Sequence, residues 1–262
     1  MDFVTSTDGT RIAYHKFGNG PALILVDGAF CSKDFGPMVK LAPLLAETFT
    51  VIAYDRRARG DSGDTATYTI QREIEDLHAL IKEGGESAFV YGISSGAVLA
   101  LKAVAAGLPV TRLALYEPPF NIDGKYRKAP AGYICKLRTM ISEGRKGDAV
   151  KYYLTKVIGV PAIFAFILKL TPNWSKMKAN ANALPYDAEI MGDGSVPDQI
   201  GTITTPTIAI AGEKSPAMLR EAAQAVANKL KNGKYGILKG QTHNVSEKVL
   251  APVLTDFFRE KR

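Results

Sequence analysis

Cysteine is scarce in this sequence, and the signals of secretion and of membrane insertion are missing. The 262 residues include two cysteines, Cys31 and Cys135, so no disulfide framework can be argued. The first residues lack a basic stretch followed by an apolar one, which is the pattern of a secretory signal peptide. No apolar run reaches membrane-spanning length. We therefore expect a cytoplasmic protein without stable membrane insertion.

Acidic residues are few in one part of the chain. In total, 33 Lys and Arg stand against 26 Asp and Glu, a formal charge of +7. Between Asn121 and Asn180, twelve basic residues stand against three acidic ones, a local charge of +9. One interpretation is a solvated, lysine-rich surface, and another is a surface that attracts anionic substrates or lipid. No nucleic-acid-binding motif accompanies this charge, so we expect no nucleic-acid partner.

The first half of the chain alternates apolar strands with amphipathic helices. Two predicted strands flank a turn at Asp8 and Gly9, a strong hairpin signal. They precede the continuous apolar run Ala22 to Val26, which is typical of a strand covered on both faces. The hydrophobic content of 46% supplies a sizeable core. This alternation predicts an α/β fold, in which a mostly parallel sheet carries helices on both faces.

The alternation stops after Pro118 and Pro119, and residues 119–190 have a helical pattern. Within them, the stretch from Ile158 to Leu170 is apolar nearly all round, which predicts a buried helix. The alternation resumes with a predicted strand at Thr207. We therefore expect a core made of residues 1–118 and 191–262, interrupted by a helical insertion at 119–190.

The stretch from Gly92 to Gly96 reads G-x-S-x-G and joins a strand-like run to an Ala- and Leu-rich helical run. A serine on so sharp a turn has a strained backbone, and the residues two positions away must lack side chains. Gly92 and Gly96 meet this need for Ser94 and not for Ser95. Ser94 is therefore the candidate nucleophile. The N–H of Ser95, at a helix N-terminus, can donate to an oxyanion.

Three more segments make the chain resemble the α/β-hydrolase family along nearly its whole length. Asp27 and Gly28 end a strand where the family has a His-Gly oxyanion loop. Residues 55–63 resemble the family's D-x-R-G-x-G-x-S turn, and His243 follows the last predicted strand as the family's histidine does. The resemblance implies an α/β-hydrolase fold, a cap at residues 119–190 and hydrolysis without cofactor or metal.

The resemblance also implies roles for single residues. His243 would be the general base, and the N–H of Ala29 would be the second oxyanion donor beside that of Ser95. The family's usual acid position holds Ser215, and a neutral hydroxyl cannot stabilise an imidazolium by charge. Two carboxylates remain as alternatives. Glu117 ends the preceding strand, as the acid of many haloalkane dehalogenases does, and Glu213 stands two residues before Ser215; we favour Glu117.

Two further positions depart from the family pattern. Asp27 replaces the family's histidine, and an inward carboxylate would repel an oxyanion, so we expect its side chain to turn away and hydrogen-bond the loop. Ala58 stands where the family's turn often has glycine, which predicts an altered turn because alanine tolerates positive φ poorly.

The leading hypothesis is a serine hydrolase that cleaves a carboxylic ester, or a lactone or thioester, through an acyl-enzyme. A small-molecule ester is then the expected partner, with its apolar acyl part bound by Phe30, Ile93, Phe164 and Trp174. Ser215 and Asp27 motivate an alternative, a catalytically weak or inactive ligand-binding protein. A family member with non-hydrolytic or C–C cleaving biosynthetic chemistry is a further alternative.

Overall fold

A central sheet organises the molecule, whose computed structural model describes residues 1–65, 67–126 and 128–260. In this described part the sheet has eight strands in the order β1-β2-β4-β3-β5-β6-β7-β8, antiparallel at β1 and β2 and parallel elsewhere. The strands are β1 (Asp2–Thr5), β2 (Arg11–Phe17), β3 (Ala22–Val26), β4 (Thr50–Tyr54), β5 (Ala88–Ile93), β6 (Val110–Tyr116), β7 (Thr207–Gly212) and β8 (Gly233–Leu238). The predicted hairpin and parallel strands are confirmed.

Ten α-helices lie around the sheet in the described residues. They are α1 (Met38–Leu45), α2 (Ile70–Gly84), α3 (Ser95–Ala105), α4 (Tyr133–Ser142), α5 (Lys146–Tyr152), α6 (Ala162–Lys169), α7 (Asn173–Ala179), α8 (Leu184–Met191), α9 (Ala217–Lys229) and α10 (Glu247–Arg259). A π-helical turn, Tyr153–Ile158, follows α5.

Apolar clusters cover both faces of the sheet, as predicted. Every residue of β3 is buried, because Ile24 packs in the cluster that contains α2, α3 and α9, while Leu23 and Leu25 pack with α1 and α10. Side chains of a strand alternate between the two faces, so a strand covered on both sides needs an unbroken apolar run. This explains the uniform hydrophobicity of Ala22 to Val26.

Residues 119–190, which we call the helical segment, contain α4 to α7 and all of α8 except its last residue, Met191. The side chains of this segment form a third cluster that includes Leu137, Ala149, Trp174 and Leu184 and reaches Phe30 of the loop after β3. The predicted helical content is therefore present. Arg127, one of the basic residues counted in this segment, lies outside the described residues.

The prediction that the stretch from Ile158 to Leu170 is buried is wrong. Within α6 only Ala165 is buried, and several large apolar side chains expose more than half of their surface. Helix α6 packs against α7 and the π-helical turn, which cover one side of it and leave the other facing solvent. An apolar residue pattern on all sides of a helix is therefore not sufficient to predict that the helix is buried.

The turn at residues 55–63 keeps a left-handed residue despite its alanine. Ala58 has a φ of 63° and donates its N–H to the carbonyl of Gly63 at 3.0 Å. Ala58 therefore holds a positive φ at a cost in backbone strain, and an altered course of the turn relative to the family stays a prediction. In the described part of the chain, no helix combines the length and hydrophobicity needed to cross a membrane.

Candidate active site

Ser94 lies at the turn between β5 and α3, with φ 55° and ψ −128°, a conformation rarely adopted by non-glycine residues. The flanking glycines are required sterically. A Cβ on Gly92 would lie 2.6 Å from the carbonyl oxygen of Gly96, and a side chain on Gly96 would collide with the backbone of Val26 and Asp27. The N–H of Ser94 donates to the carbonyl of Tyr116 at 3.0 Å, which ties this turn to the end of β6.

Glu117 and His243 meet directly at the carboxyl ends of β6 and β8. Oε2 of Glu117 lies 2.6 Å from Nδ1 of His243. Oε1 of the same carboxylate accepts the N–H of Gly212 at 2.7 Å, so both oxygens have partners. Glu117 is fully buried and has a positive φ of 49°. With Nδ1 occupied by the carboxylate, Nε2 remains the ring nitrogen available for proton transfer.

The loop that carries His243 is fixed by its neighbours. The hydroxyl of Tyr116 donates to the carbonyl of Thr242 at 2.7 Å, and the N–H of Lys214 donates to the carbonyl of Gln241 at 2.8 Å. The imidazole keeps 45% of its side-chain surface exposed. Among the described contacts, no hydrogen bond joins it to the hydroxyl of Ser94. Catalytic hydrogen bonds often tighten only once substrate is bound.

The structure does not bring Glu213 or Ser215 to His243. Oε2 of Glu213 accepts the N–H of Gly240 at 2.8 Å on the exposed side of the loop. Ser215 is buried, and within the described residues its hydroxyl has no hydrogen-bond partner. Of the two carboxylates that the sequence left open, Glu117 is the one in contact with the imidazole.

The backbone N–H groups of Ala29 and Ser95, the two candidate oxyanion donors, have no hydrogen-bond acceptor among the described residues. A Cβ on Gly28 would lie 3.1 Å from Cβ of Ser94, so glycine lets the loop after β3 approach the candidate nucleophile closely. Ser95 begins α3, where the first N–H groups of a helix have no partner within the helix.

Asp27 turns into the loop, as expected. Its Oδ1 accepts the N–H of Gly28 at 3.0 Å, and its side chain lies beside Cys31. Burial, only partly offset by the hydrogen bond from Gly28, raises the pKa of Asp27 to about 7. The raised pKa lowers the ionised fraction of this carboxyl near neutral pH, beside the candidate oxyanion donors.

A buried ionic network behind these donors was not predicted from the sequence. Arg59 binds both carboxylate oxygens of Asp187, at 2.8 and 2.7 Å, and also donates to the carbonyl of Gly28 at 2.5 Å. Arg56 donates to Asp187 at 2.9 Å and forms two hydrogen bonds with Glu73, at 2.7 and 2.9 Å. Burial opposes ionisation of Asp187, but the two guanidinium groups hold its pKa below the usual value.

This network connects the helical segment to the candidate oxyanion donors. The hydroxyl of Ser95 donates to Oδ1 of Asp187 at 2.7 Å. Nearby, Asn180 donates to the carbonyl of Phe30 at 2.8 Å and accepts the N–H of Gly60 at 3.1 Å. The sequence signals were an acid inside the otherwise apolar turn of α8 and two extra arginines in the turn at residues 55–63. Neither feature showed that Asp187 would pair with these arginines.

The four residues predicted to bind substrate lie in different surroundings. Phe30 and Trp174 are buried in the cluster of the helical segment. Ile93 is buried on the side of the sheet covered by α1 and α10. Phe164 lies on α6 with 60% of its surface exposed. Of the four, Phe30 and Ile93 lie next to the loop after β3 and the turn at Ser94, and a role in substrate binding stays a prediction for all of them.

Comparison with known families agrees with this geometry. The model of the alpha/beta hydrolase family matches residues 23–247, which include Ser94, Glu117 and His243. The chain belongs to this family. Membership supports hydrolase activity and gives the coarse chemistry of the protein, whereas the bond that it cleaves is not defined by the family alone.

Individual relatives range from near to distant. An alpha/beta hydrolase from Sphaerobacter thermophilus DSM 20745 has 46% sequence identity and a TM-score of 0.93, over 98% of this chain and all of that one. The enol-lactonase from Burkholderia xenovorans LB400 has a TM-score of 0.71 at 19% identity, over 99% of this chain and 100% of that one, and shows the fold alone. The uncharacterized hydrolase YraK of Bacillus subtilis (strain 168) is 35% identical over 97 residues, 36% of this chain and about a third (35%) of YraK.

Proposed function

We propose that the protein is a serine hydrolase that cleaves a carboxylic ester, lactone or thioester with an apolar acyl part. The observation that carries the proposal is the contact of 2.6 Å between Glu117 and His243, at the same edge of the sheet as the strained Ser94. A serine needs a base to become nucleophilic, and a neutral imidazole needs a partner that stabilises its protonated form.

In the proposed first half-reaction, Oγ of Ser94 attacks the ester carbonyl carbon while Nε2 of His243 takes the hydroxyl proton. The carbonyl oxygen becomes an oxyanion and accepts the N–H groups of Ala29 and Ser95. Glu117 stabilises the imidazolium through Nδ1 and stays ionised. The imidazolium then gives its proton to the leaving alcohol as the C–O bond breaks, which leaves the acyl group on Ser94.

In the second half-reaction, water attacks the acyl carbonyl while His243 removes its proton, and the acid product leaves as the proton returns to Ser94. We also propose that the helical segment acts as a cap over this site. Its support is the set of contacts that α8 and Asn180 make with the loop after β3 and with Ser95. The small-molecule ester would enter next to Phe30, which joins that loop to the helical segment.

The decisive experiment is peptide mass spectrometry after treatment with a fluorophosphonate, together with hydrolysis of a p-nitrophenyl ester. We expect one adduct, on Ser94, and loss of both adduct and at least about 10⁴-fold of turnover in Ser94→Ala. A folded protein without an adduct would contradict the proposal and favour a ligand-binding protein.

The acid is tested by a matched pair of variants. Glu117→Gln keeps the size of the side chain and removes its charge, so we expect kcat to fall by about 10²- to 10⁴-fold. Glu213→Gln makes the same change on the other side of the histidine loop and should stay within about twofold of wild type, since its carboxylate bonds only Gly240 among the described residues. Equal losses in the two variants would contradict the assignment of Glu117.

A further inference from the structure

The outer face of α6 concentrates exposed apolar side chains. In the described residues, eleven large hydrophobic side chains are exposed, and six of them fall between Ile158 and Leu170. The exposed fractions of Ile163, Phe164, Phe166, Ile167 and Leu170 range from 52% to 73%. At about 100° per residue, these five positions span roughly 160° of the helix circumference, opposite the buried Ala165. We call this surface the α6 face.

A basic groove adjoins the α6 face. The groove has a volume of about 700 Å³, and Lys169, the last residue of α6, lies in its wall. Its other cationic side chains are Arg145, Lys146, Lys151 and Lys178. Its one acid, Asp148, is bound to Arg145 at 2.9 Å. Among the described residues, the four lysines have no carboxylate partner, so their charge is available to a ligand.

The charge decides what can cover the α6 face. A second copy of the chain would bring another strongly basic segment against the first, since residues 121–180 carry a net charge of +9. An anionic bilayer offers an apolar phase for the phenylalanines and isoleucines and negative headgroups for the lysines. Amphipathic helices that lie in a membrane interface combine the same two features, an apolar face and lysines beside it.

We propose that the α6 face and the basic groove together dock the protein on the surface of an anionic lipid bilayer. Phe164, Phe166 and their apolar neighbours enter the interface, and Lys169 and the other groove lysines contact the headgroups. The contact is peripheral and reversible, because the helix is short and only its outer side is free. It uses neither Ser94 nor His243, and of the four residues predicted to bind the acyl part it uses Phe164 alone.

The test is co-sedimentation of the full chain with vesicles of phosphatidylcholine alone or mixed with phosphatidylserine. We expect binding to the anionic vesicles that is at least about tenfold tighter than to neutral ones and that weakens at high salt. Phe164→Ser/Phe166→Ser should reduce this binding by about tenfold or more. Lys169→Gln/Lys178→Gln should reduce it by about 25-fold, at about fivefold per lysine.

The control is Phe17→Ser/Ile237→Ser, which removes two exposed apolar side chains far from α6 in the sequence and should bind vesicles like wild type. Absence of binding, or equal binding to both vesicle types, would overturn the proposal. So would a dimer, seen by sedimentation velocity, that Phe164→Ser/Phe166→Ser dissociates. Competition by millimolar inorganic phosphate at constant ionic strength would also overturn it, because the groove would then be a site for a soluble anion.

Discussion

Helices α6 and α8 belong to the same helical segment and are both largely apolar, yet α8 is mostly buried and α6 is mostly exposed. Six of the eight residues of α8 are buried, among them the charged Asp187, whereas α6 buries only Ala165. A charged side chain is thus in the interior while phenylalanines face solvent. The difference follows from the contacts of each helix. Asp187 binds two guanidinium groups, whereas the five side chains of the α6 face keep 52% to 73% of their surface exposed.

Burial of Asp187 depends on complete pairing. The four ionised groups of the network, Arg56, Arg59, Glu73 and Asp187, sum to zero charge and are bound to one another at hydrogen-bond distances. A buried ion pair gives little net stability compared with apolar packing, but loss of one partner leaves an uncompensated charge in the interior. In this protein the network also fixes the carbonyl of Gly28 and the hydroxyl of Ser95, next to the candidate oxyanion donors.

The largest expected effect comes from breaking this network. Asp187→Asn leaves Arg56 and Arg59 with one carboxylate between them, so we expect unfolding free energy to fall by about 3–5 kcal/mol. Chemical denaturation followed by circular dichroism measures the loss. Asp193→Asn, in the exposed turn after α8, removes the same charge and should change stability by less than about 1 kcal/mol. Similar losses of stability in the two variants would contradict a specific contribution of the buried ionic network.

The next largest effect concerns Asp27, a buried carboxyl that, among the described residues, has no ion pair like those of Asp187. Burial raises the pKa of Asp27 to about 7 from 3.8, so the folded state binds a proton that the unfolded state releases between these values. The corresponding stability is present below pH 3.8 and is lost as pH rises toward and through 7. About three pKa units correspond to a cost on the order of 4 kcal/mol for the ionised group at pH 8.

Asp27→Asn tests this cost, because asparagine keeps an oxygen for the N–H of Gly28 and cannot ionise. We expect the variant to be more stable than wild type at pH 8 and to lose the decline in stability above about pH 6. Below that, burial of Asp76 raises its pKa to about 6, so a decline remains in both proteins. Thermal unfolding across this range measures it. Asp256→Asn on the exposed side of α10 is the control and should keep the wild-type profile. An unchanged profile in Asp27→Asn would contradict the raised pKa.

Substitutions on the exposed side of α6 should change stability least. Phe164→Ser/Phe166→Ser removes two large side chains that are already about 60% exposed, so we expect a change in unfolding free energy within about 0.5 kcal/mol per site. Denaturant titration measures it, beside Leu184→Ala in α8, where a fully buried side chain should cost about 2–5 kcal/mol. A large loss in the α6 variant would mean that the α6 face is covered in solution.

Local patterns were sufficient for the sheet and for the candidate nucleophile. Unbroken apolar runs marked the parallel strands, and the spacing of Gly92 and Gly96 singled out Ser94, because both depend on neighbours in the chain. The choice between Glu117 and Glu213 could not be made in this way. It depends on where the ends of β6 and β7 lie relative to the histidine loop, and the structure sets Glu117 against His243 and Glu213 against Gly240.

Three features can be derived from the amino-acid sequence alone: the α/β alternation, the strained turn at Ser94 and the excess of positive charge in the helical segment. These properties follow from short-range sterics and from composition, which the chain carries in any conformation. Two other features depend on how the chain folds in three dimensions. Asp187 pairs with Arg56 and Arg59, which are more than 120 residues away, and one side of α6 stays exposed. Burial and ion pairing depend on which segments of the chain come into contact. The hydrophobic periodicity of one helix does not show which segment it packs against.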